Sequence, residues 1–484
     1  MSGLSRRNFL KLMAMGTVAT GCSPIIDGQL QKPLALTAPL ARQTTQPNRV
    51  AHAIKRLTWG ATLPLIDEVA ETGVDDWIAQ QLDYESIDDN EMILRLRRFD
   101  TLTMSAPDLM GFNRDRYDVA NELAGATVTR ALFSKRQLYE MMVYFWTNHF
   151  NIYHFKEMTS NLKTVDDREV IRPHALGNFG DMLRASAHSP AMLLYLDNVL
   201  NEKSHPNENY AREIMELHTL GVDGAYTETD VLEVARCFTG WSVDDRGRFQ
   251  FRSEWHDEDE KIVLGHVIPA GGGKDDGDRV IEILIEHPDT ARYISYKLAQ
   301  RFVADEPSAD LVDDLTQEWR DTNGDIQSVM RRLVTHDAFW SAPAKFKVPL
   351  EFALSTLRIL NTTYNGYAPL IDRLDAMGQR PFGYSTPDGY PDVASEWQGS
   401  LTQRWNFVLD TLNDNIDGVS VPIQQWSELV DGVGFDIPEM IWMRPPNQQE
   451  LTVIRDAVEA ISSNQERLRH GLALTLSSPA FQWR

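Results

Sequence analysis

Cysteine is almost absent: the 484 residues contain two, Cys22 and Cys237. Disulfides therefore cannot hold such a chain together, and stability must come from a large apolar core. Long apolar runs are absent too. No uncharged stretch reaches the ~18 residues of a membrane-spanning helix, which excludes a polytopic membrane protein. Positive charge is scarce, with 47 Lys and Arg against 70 Asp and Glu and a formal net charge of −23. Such a chain repels phosphate backbones, so nucleic acid is excluded as a general partner. Common catalytic signatures are missing as well. There is no Gly-x-Ser-x-Gly, no Walker loop, no Gly-x-Gly-x-x-Gly after a strand and no Cys-x-x-Cys-His. Gly271-Gly272-Gly273-Lys274 lacks the phosphate-loop spacing, and in Asp321 to Asp325 neither the position of Gly324 nor a closing Glu matches a calcium loop.

What is present is core-forming material. Twelve Trp and nineteen Phe, with 42% hydrophobic and 24% charged residues, belong to a folded globular protein. The first residues carry an address. Ser5-Arg6-Arg7-Asn8-Phe9-Leu10-Lys11 precedes a short apolar stretch and Ala19-Thr20-Gly21-Cys22. Paired Arg6 and Arg7 before such a stretch read as a twin-arginine export signal over residues 1–21. The segment ending at Cys22 resembles a lipobox, which would leave Cys22 acylated and the protein anchored in the periplasm or cell envelope by lipid alone. Ala19 stands where Leu is usual, so plain cleavage stays open. Residues 22–48, with Pro24, Pro33, Pro39 and Pro47, read as a flexible tether. Cys237 lies in a helical pattern and reads as a small buried apolar side chain.

From residue 49 to 484 the pattern predicts one large, mainly α, multi-helical domain. Ser189-Pro190 reads as a helix start, as does the Thr227/Asp230 capping box. Helices are expected at 278–287, 289–303, 309–319, 325–335, 347–361, 402–411 and 448–477. Strand signals are limited to Arg248–Arg252 and Lys261–Leu264, which suggest one small hairpin. A long aromatic C-terminal loop runs through 378–400, either a lid over a pocket or a plug over the core.

Residues 149–241 hold His149, His154, His174, His188, His205 and His218, half of the chain's twelve histidines. Within Asn207–Gly221, Glu208 and Arg212 sit at i,i+4 in the favourable order and should pair. Glu213 and Glu216 share a helix face, a spacing that suits a divalent metal or an acid–base pair. His218 falls about 200° round from Glu216, so a Glu/Glu/His set does not follow from spacing alone. His149 shares an apolar face with Met142, Phe145 and Trp146, where a histidine is more often a hydrogen-bonded core residue than a ligand.

Asn207-Glu208-Asn209-Tyr210-Ala211-Arg212-Glu213, Glu216-Leu217-His218-Thr219-Leu220-Gly221-Val222, Tyr226-Thr227 and Thr239-Gly240-Trp241 resemble the hallmark of the bacterial domain-of-unknown-function 1800 family. Trp146-x-x-His149-Phe150, His188-x-Pro190-Ala191-Met192, Lys345-x-Lys347-x-Pro349-x-Glu351 and Pro387-x-Gly389-Tyr390-Pro391 support the likeness. The resemblance covers about residues 50–484. It implies an exported, helix-rich bacterial protein, often encoded beside a co-exported alkaline-phosphatase-like protein, and it transfers no catalytic residue. Two readings follow. In the first, the protein is a metal-dependent hydrolase. Glu213, Glu216 and His149 or His218 hold one divalent metal, Arg212 binds an anionic substrate group, and Asn209, Trp241 and Trp397 line the pocket. In the second, it is a lipid-anchored accessory or scaffold protein for that partner or for a surface polysaccharide.

Overall fold

The computed structural model describes residues 48–112, 115–365, 368–433 and 437–484. Arg6, Arg7, Cys22, the signal and the tether lie outside the described residues. The expected mainly α single domain is what forms. Its first principal helix, α1 (Arg49–Leu57), is capped by Asn48, whose side chain accepts from the Ala51 N–H. After α2 (Arg116–Phe133) comes α3 (Gln137–His149), which is buried on nearly every side. Leu138, Met141, Met142, Phe145 and Trp146 leave no polar stripe for water, so α3 runs through the centre of the core. Trp146 Nε1 donates to the Ala175 carbonyl at 3.0 Å and fixes its rotation there.

α4 (Thr159–Asp166) runs into a wider i→i+5 turn at Asp167–Ile171. That extra residue turns Arg172 towards Glu140 and Asp167, which it meets at 3.0 and 2.8 Å. Then follow α5 (Phe179–Ala187), α6 (Pro190–Tyr195), α7 (Glu208–Glu216) and α8 (Glu228–Cys237). The Thr227/Asp230 capping box is in place at the start of α8.

The single expected hairpin is replaced by three two-stranded sheets among the described residues. β1 (Trp241–Val243) pairs with β2 (Phe249–Phe251), and β3 (Lys261–Val263) with β4 (His266–Ile268). Each expected strand finds a nearer partner than the other one. Asp244 accepts from the Arg246 and Arg248 N–H groups and closes the first turn. Leu264 and Gly265, at φ +49° and +80°, make the two-residue left-handed turn of the second.

The helices α9 (Asp275–Glu286), α10 (Pro288–Phe302), α11 (Ala309–Asp321), α12 (Ile326–Thr335) and α13 (Pro349–Ile359) match their expected positions within a few residues. β5 (Thr363–Tyr364) pairs with β6 (Val419–Ser420) across α14 (Leu401–Leu412). The helix expected over 448–477 is two, α15 (Gln448–Glu459) and α16 (Asn464–Ser477), because Ser463 caps a new start.

One apolar cluster spans the helices, and charged groups inside it are matched. Lys163 and Asp166, each 1% exposed at the side chain, meet at 2.5 Å, and Ser189 Oγ donates to the other Asp166 oxygen at 2.7 Å. Removing one partner strands the other charge. Asp166→Ala should cost about 3–5 kcal/mol of unfolding free energy. Adding Lys163→Met should recover most of it, as read from urea midpoints; equal losses in the single and double variants would contradict this pairing.

Candidate functional site

The C-terminal turn of α3 presents successive side chains about 100° apart, so Asn148 and His149 face different neighbours. His149 Nε2 lies 3.1 Å from the His218 carbonyl oxygen. A carbonyl can only accept, so Nε2 carries the proton and Nδ1 keeps its lone pair. Lys297 Nζ, from α10, donates to that Nδ1 at 3.0 Å. Burial first, then the charge of Lys297, with a smaller contribution from neighbouring His218, holds the imidazole well below its ordinary titration range. Burial also lowers the Lys297 amine to about 8, against the opposing pull of Asp388 and Asp392.

These groups form one wall of a cavity of about 210 Å³, with Gln300 and Arg301 from α10 beside them. The facing wall is the loop segment Asp388 to Asp392. The long 378–400 loop thus lines a pocket, and Asn148 holds it there. Asn148 Nδ2 donates to the Tyr390 carbonyl and Asn148 Oδ1 accepts from the Tyr390 N–H, both at 2.8 Å. Asn151 Nδ2 donates to the Tyr384 and Thr386 carbonyls, and Tyr195 Oη to that of Ser385. Gly389, at φ +74°, permits the approach: a Cβ there would stand 2.3 Å from the Asn148 carbonyl oxygen.

α7 lies beyond the Asp388 edge of the cavity. Glu213 is half-buried, and its carboxyl is pushed up to about 7 by burial, then by the charges of Glu216 and Asp388, with Arg212 opposing. Asp388 therefore acts electrostatically on both Glu213 and Lys297. The expected Glu208–Arg212 pair forms at 3.2 Å. Arg212 also meets Glu216 at 3.3 Å and Glu228 at 2.7 Å, which leaves it as the hub of an acidic network.

Along residues 52–483 the chain matches the family model described as "Protein of unknown function (DUF1800)". It belongs to that family. No curated protein and no solved structure matches it.

In this DUF1800 chain the four expected metal ligands are not brought together. Among the described residues no group of three or more His, Cys, Asp or Glu side chains could hold a metal ion. Both ring nitrogens of His149 are engaged, Glu216 is taken by Arg212, and His218 points into the core with Nε2 unpartnered. The expected pocket residues sit elsewhere. Trp241 is wholly buried among Phe238, Phe249 and His188, away from the cavity lining. Trp397 supports the loop from behind, its Nε1 donating to the Pro391 carbonyl at 2.8 Å. Asn209 Nδ2 donates to the Leu196 carbonyl at 3.1 Å, a structural tie. Sequence reasoning missed Lys297, Asp388, Asp392 and Asn148. Asp388 falls inside the Pro387–Pro391 motif, which was a usable signal; Lys297 lies in an ordinary amphipathic helix and offered none.

His149, His154 and His218 are all buried and neutral, the last two lowered to about 3 chiefly by burial. The unfolded chain protonates them near 6.5, so it binds protons that the native state refuses. Their stability contribution is therefore complete above about pH 6.5 and declines as pH falls, by about 1.4 kcal/mol per unit per histidine. Urea midpoints should drop steeply between about pH 7 and pH 5, and less steeply in His218→Phe. A pH-independent midpoint over that range would contradict the buried neutral state.

Proposed function

We propose that this DUF1800 chain is an enzyme, a hydrolase whose reaction runs at the Asp388 edge of the cavity, where the charge of Asp388 acts on both Lys297 of α10 and Glu213 of α7. The observation that carries the reading is the Lys297 Nζ hydrogen bond to His149 Nδ1 at the cavity wall. A neutral, inward-held imidazole has no need of a lysine for stability, and burying an ammonium is costly. The arrangement suits a function: one N–H of Lys297 is fixed, and the other two can reach a substrate oxygen.

Glu213 and Lys297 titrate on either side of a narrow window. Above about 7 Glu213 is ionised, and below about 8 Lys297 is protonated. Between these values the carboxylate can take a proton from water. The ammonium can stabilise the negative charge that develops on the attacked group, then supply the proton to the leaving group. Asp388 tunes both, since its negative charge favours the protonated form of each. The 388–392 segment shields the site from bulk water and strengthens these interactions. A cavity of about 210 Å³ takes a small polar group or the end of a larger substrate. With no assembled ligand set at Glu213, Glu216, His149 and His218, the chemistry is assigned to these side chains themselves.

We further place the protein in the cell envelope, exported on Arg6 and Arg7 and held by lipid at Cys22, on the strength of the sequence motif. A second reading, an accessory protein for a co-exported alkaline-phosphatase-like partner, has one observation in its favour. Ile262 and Val267 are cross-strand neighbours, 52% and 56% exposed, and form an apolar face on the β3–β4 hairpin.

A panel of chromogenic esters, glycosides and phosphate esters tests the enzyme reading. Turnover should follow a bell between limbs at about 7 and about 8. Glu213→Gln and Lys297→Met should each lower kcat by about 100-fold or more with the helical signal unchanged. Turnover that survives in both variants, or that keeps one limb after its residue is removed, contradicts the assignment.

A further inference from the structure

A second cluster of buried charge lies behind the cavity, where α1, α13 and the chain end meet. Residues 345–347 run alongside 482–484: Lys347 N–H donates to the Gln482 carbonyl, and Lys345 and Arg484 exchange backbone hydrogen bonds. This places several cations side by side. Two have their own acids, since Arg301 meets Asp392 at 3.3 Å and Lys345 pairs with Asp305. Arg56, Lys347, Arg404 and Arg484 remain, none more than 6% exposed. Glu351 is the one carboxylate among them, and Arg301 shares it at 2.6 Å while Arg484 Nε stands 3.2 Å away.

Backbone and amide oxygens serve part of this excess. Arg404 donates to Gln482 Oε1 and the Lys347 carbonyl, and Arg56 Nη2 donates to the Pro343 carbonyl. Neutral oxygens satisfy hydrogen bonds without cancelling charge. Three donors are left over or weakly served. Arg484 Nη1 and Arg56 Nη1 are buried without a hydrogen-bond partner. Lys347 Nζ reaches only Ser355 Oγ, at 3.0 Å, and lies over the Phe481 ring. Burial and the neighbouring Lys55 charge hold this amine well below its ordinary range.

A small pocket opens here, lined by Lys55, Lys347, Arg484 and Ser355, with Trp59 and Phe481 as apolar walls and the Glu351 carboxylate also in its lining. Its volume is about 30 Å³, more than the ~10–15 Å³ a cavity needs to hold one water molecule. We propose that this pocket is a binding site for a halide-sized monovalent anion, chloride under ordinary conditions, held by Lys347, Arg484 and Lys55. Such an ion adds to the negative charge of Glu351, Asp392 and Asp305, which all act on Arg56 and Arg484. It also links to the cavity, because Glu351 bridges Arg484 to Arg301 on the cavity wall. The site stands apart from the hydrolase reading and does not depend on it.

Thermal unfolding of the full chain tests the proposal at constant ionic strength, with sodium chloride replacing sodium gluconate. An ion bound only to the native state raises Tm with concentration and then follows its logarithm. Tm should therefore climb with chloride, sulfate should not reproduce the rise, and Lys55→Met should need at least about tenfold more chloride for the same shift. Crystals of the unaltered chain soaked in bromide should show an anomalous peak between Lys347 and Arg484, a readout that survives if Lys347 or Arg484 variants fail to fold. A Tm that is equal in chloride and gluconate, a chloride response unchanged in Lys55→Met, or no bromide peak in this pocket would each overturn it.

Discussion

His149 donates at one ring nitrogen and accepts at the other, and that division joins three distant parts of the chain. Nε2 binds the carbonyl of His218, beyond α7, and Nδ1 binds Lys297 of α10. The imidazole can do both only while neutral, because a protonated ring has no lone pair to offer. Its environment enforces that state: Phe145, Trp146, Phe150 and Phe179 surround the ring. The neutrality of one core side chain is thus the condition for holding an amine at the edge of the cavity. Since α3 is buried on nearly every side, the whole helical core stands behind the position of that amine.

The other wall depends on a neighbouring residue in the same turn. The Asn148 side chain grips the Tyr390 backbone by two hydrogen bonds, so Asp388 and Asp392 face the residues that α10 contributes. Net hydrogen-bond energies are about 1 kcal/mol each. The loop is therefore held by several modest ties, from Asn148, Asn151, Tyr195 and Trp397, and by the Arg301–Asp392 ion pair. The acidic exterior and the cationic interior are complementary in the same way: a chain of formal charge −23 keeps its buried excess of arginine and lysine around Glu351, between the cavity and the chain end.

Much of the fold was legible in the sequence because local chemistry wrote it. Ser189-Pro190 and the Thr227/Asp230 box marked helix starts that the structure places within a residue or two. The strand pairing was not legible, because apolar alternation marks Phe249–Phe251 and Lys261–Val263 as strands without saying which neighbour each takes. The deciding signals were the Asp244 turn and Leu264-Gly265, both local and both weaker than the strand pattern. At the site, Glu213 was legible as a carboxylate beside another carboxylate. That Arg212 would engage Glu216 was not, since the Arg212 network depends on Glu228 from the next helix. Lys297 was invisible for a different reason. Nothing in a helical repeat distinguishes a lysine that faces water from one that faces a buried imidazole 148 residues away.

The central claim is that the fold holds the Lys297 amine in a half-buried, hydrogen-bonded state that ionises near pH 8. Titration of the Lys297 Cε resonance by nuclear magnetic resonance, assigned with Lys297→Arg, measures it directly. The account predicts a midpoint at about 8, apart from the surface lysines. A midpoint at the ordinary lysine value of about 10.4 would contradict the buried couple and the proton-transfer role that rests on it.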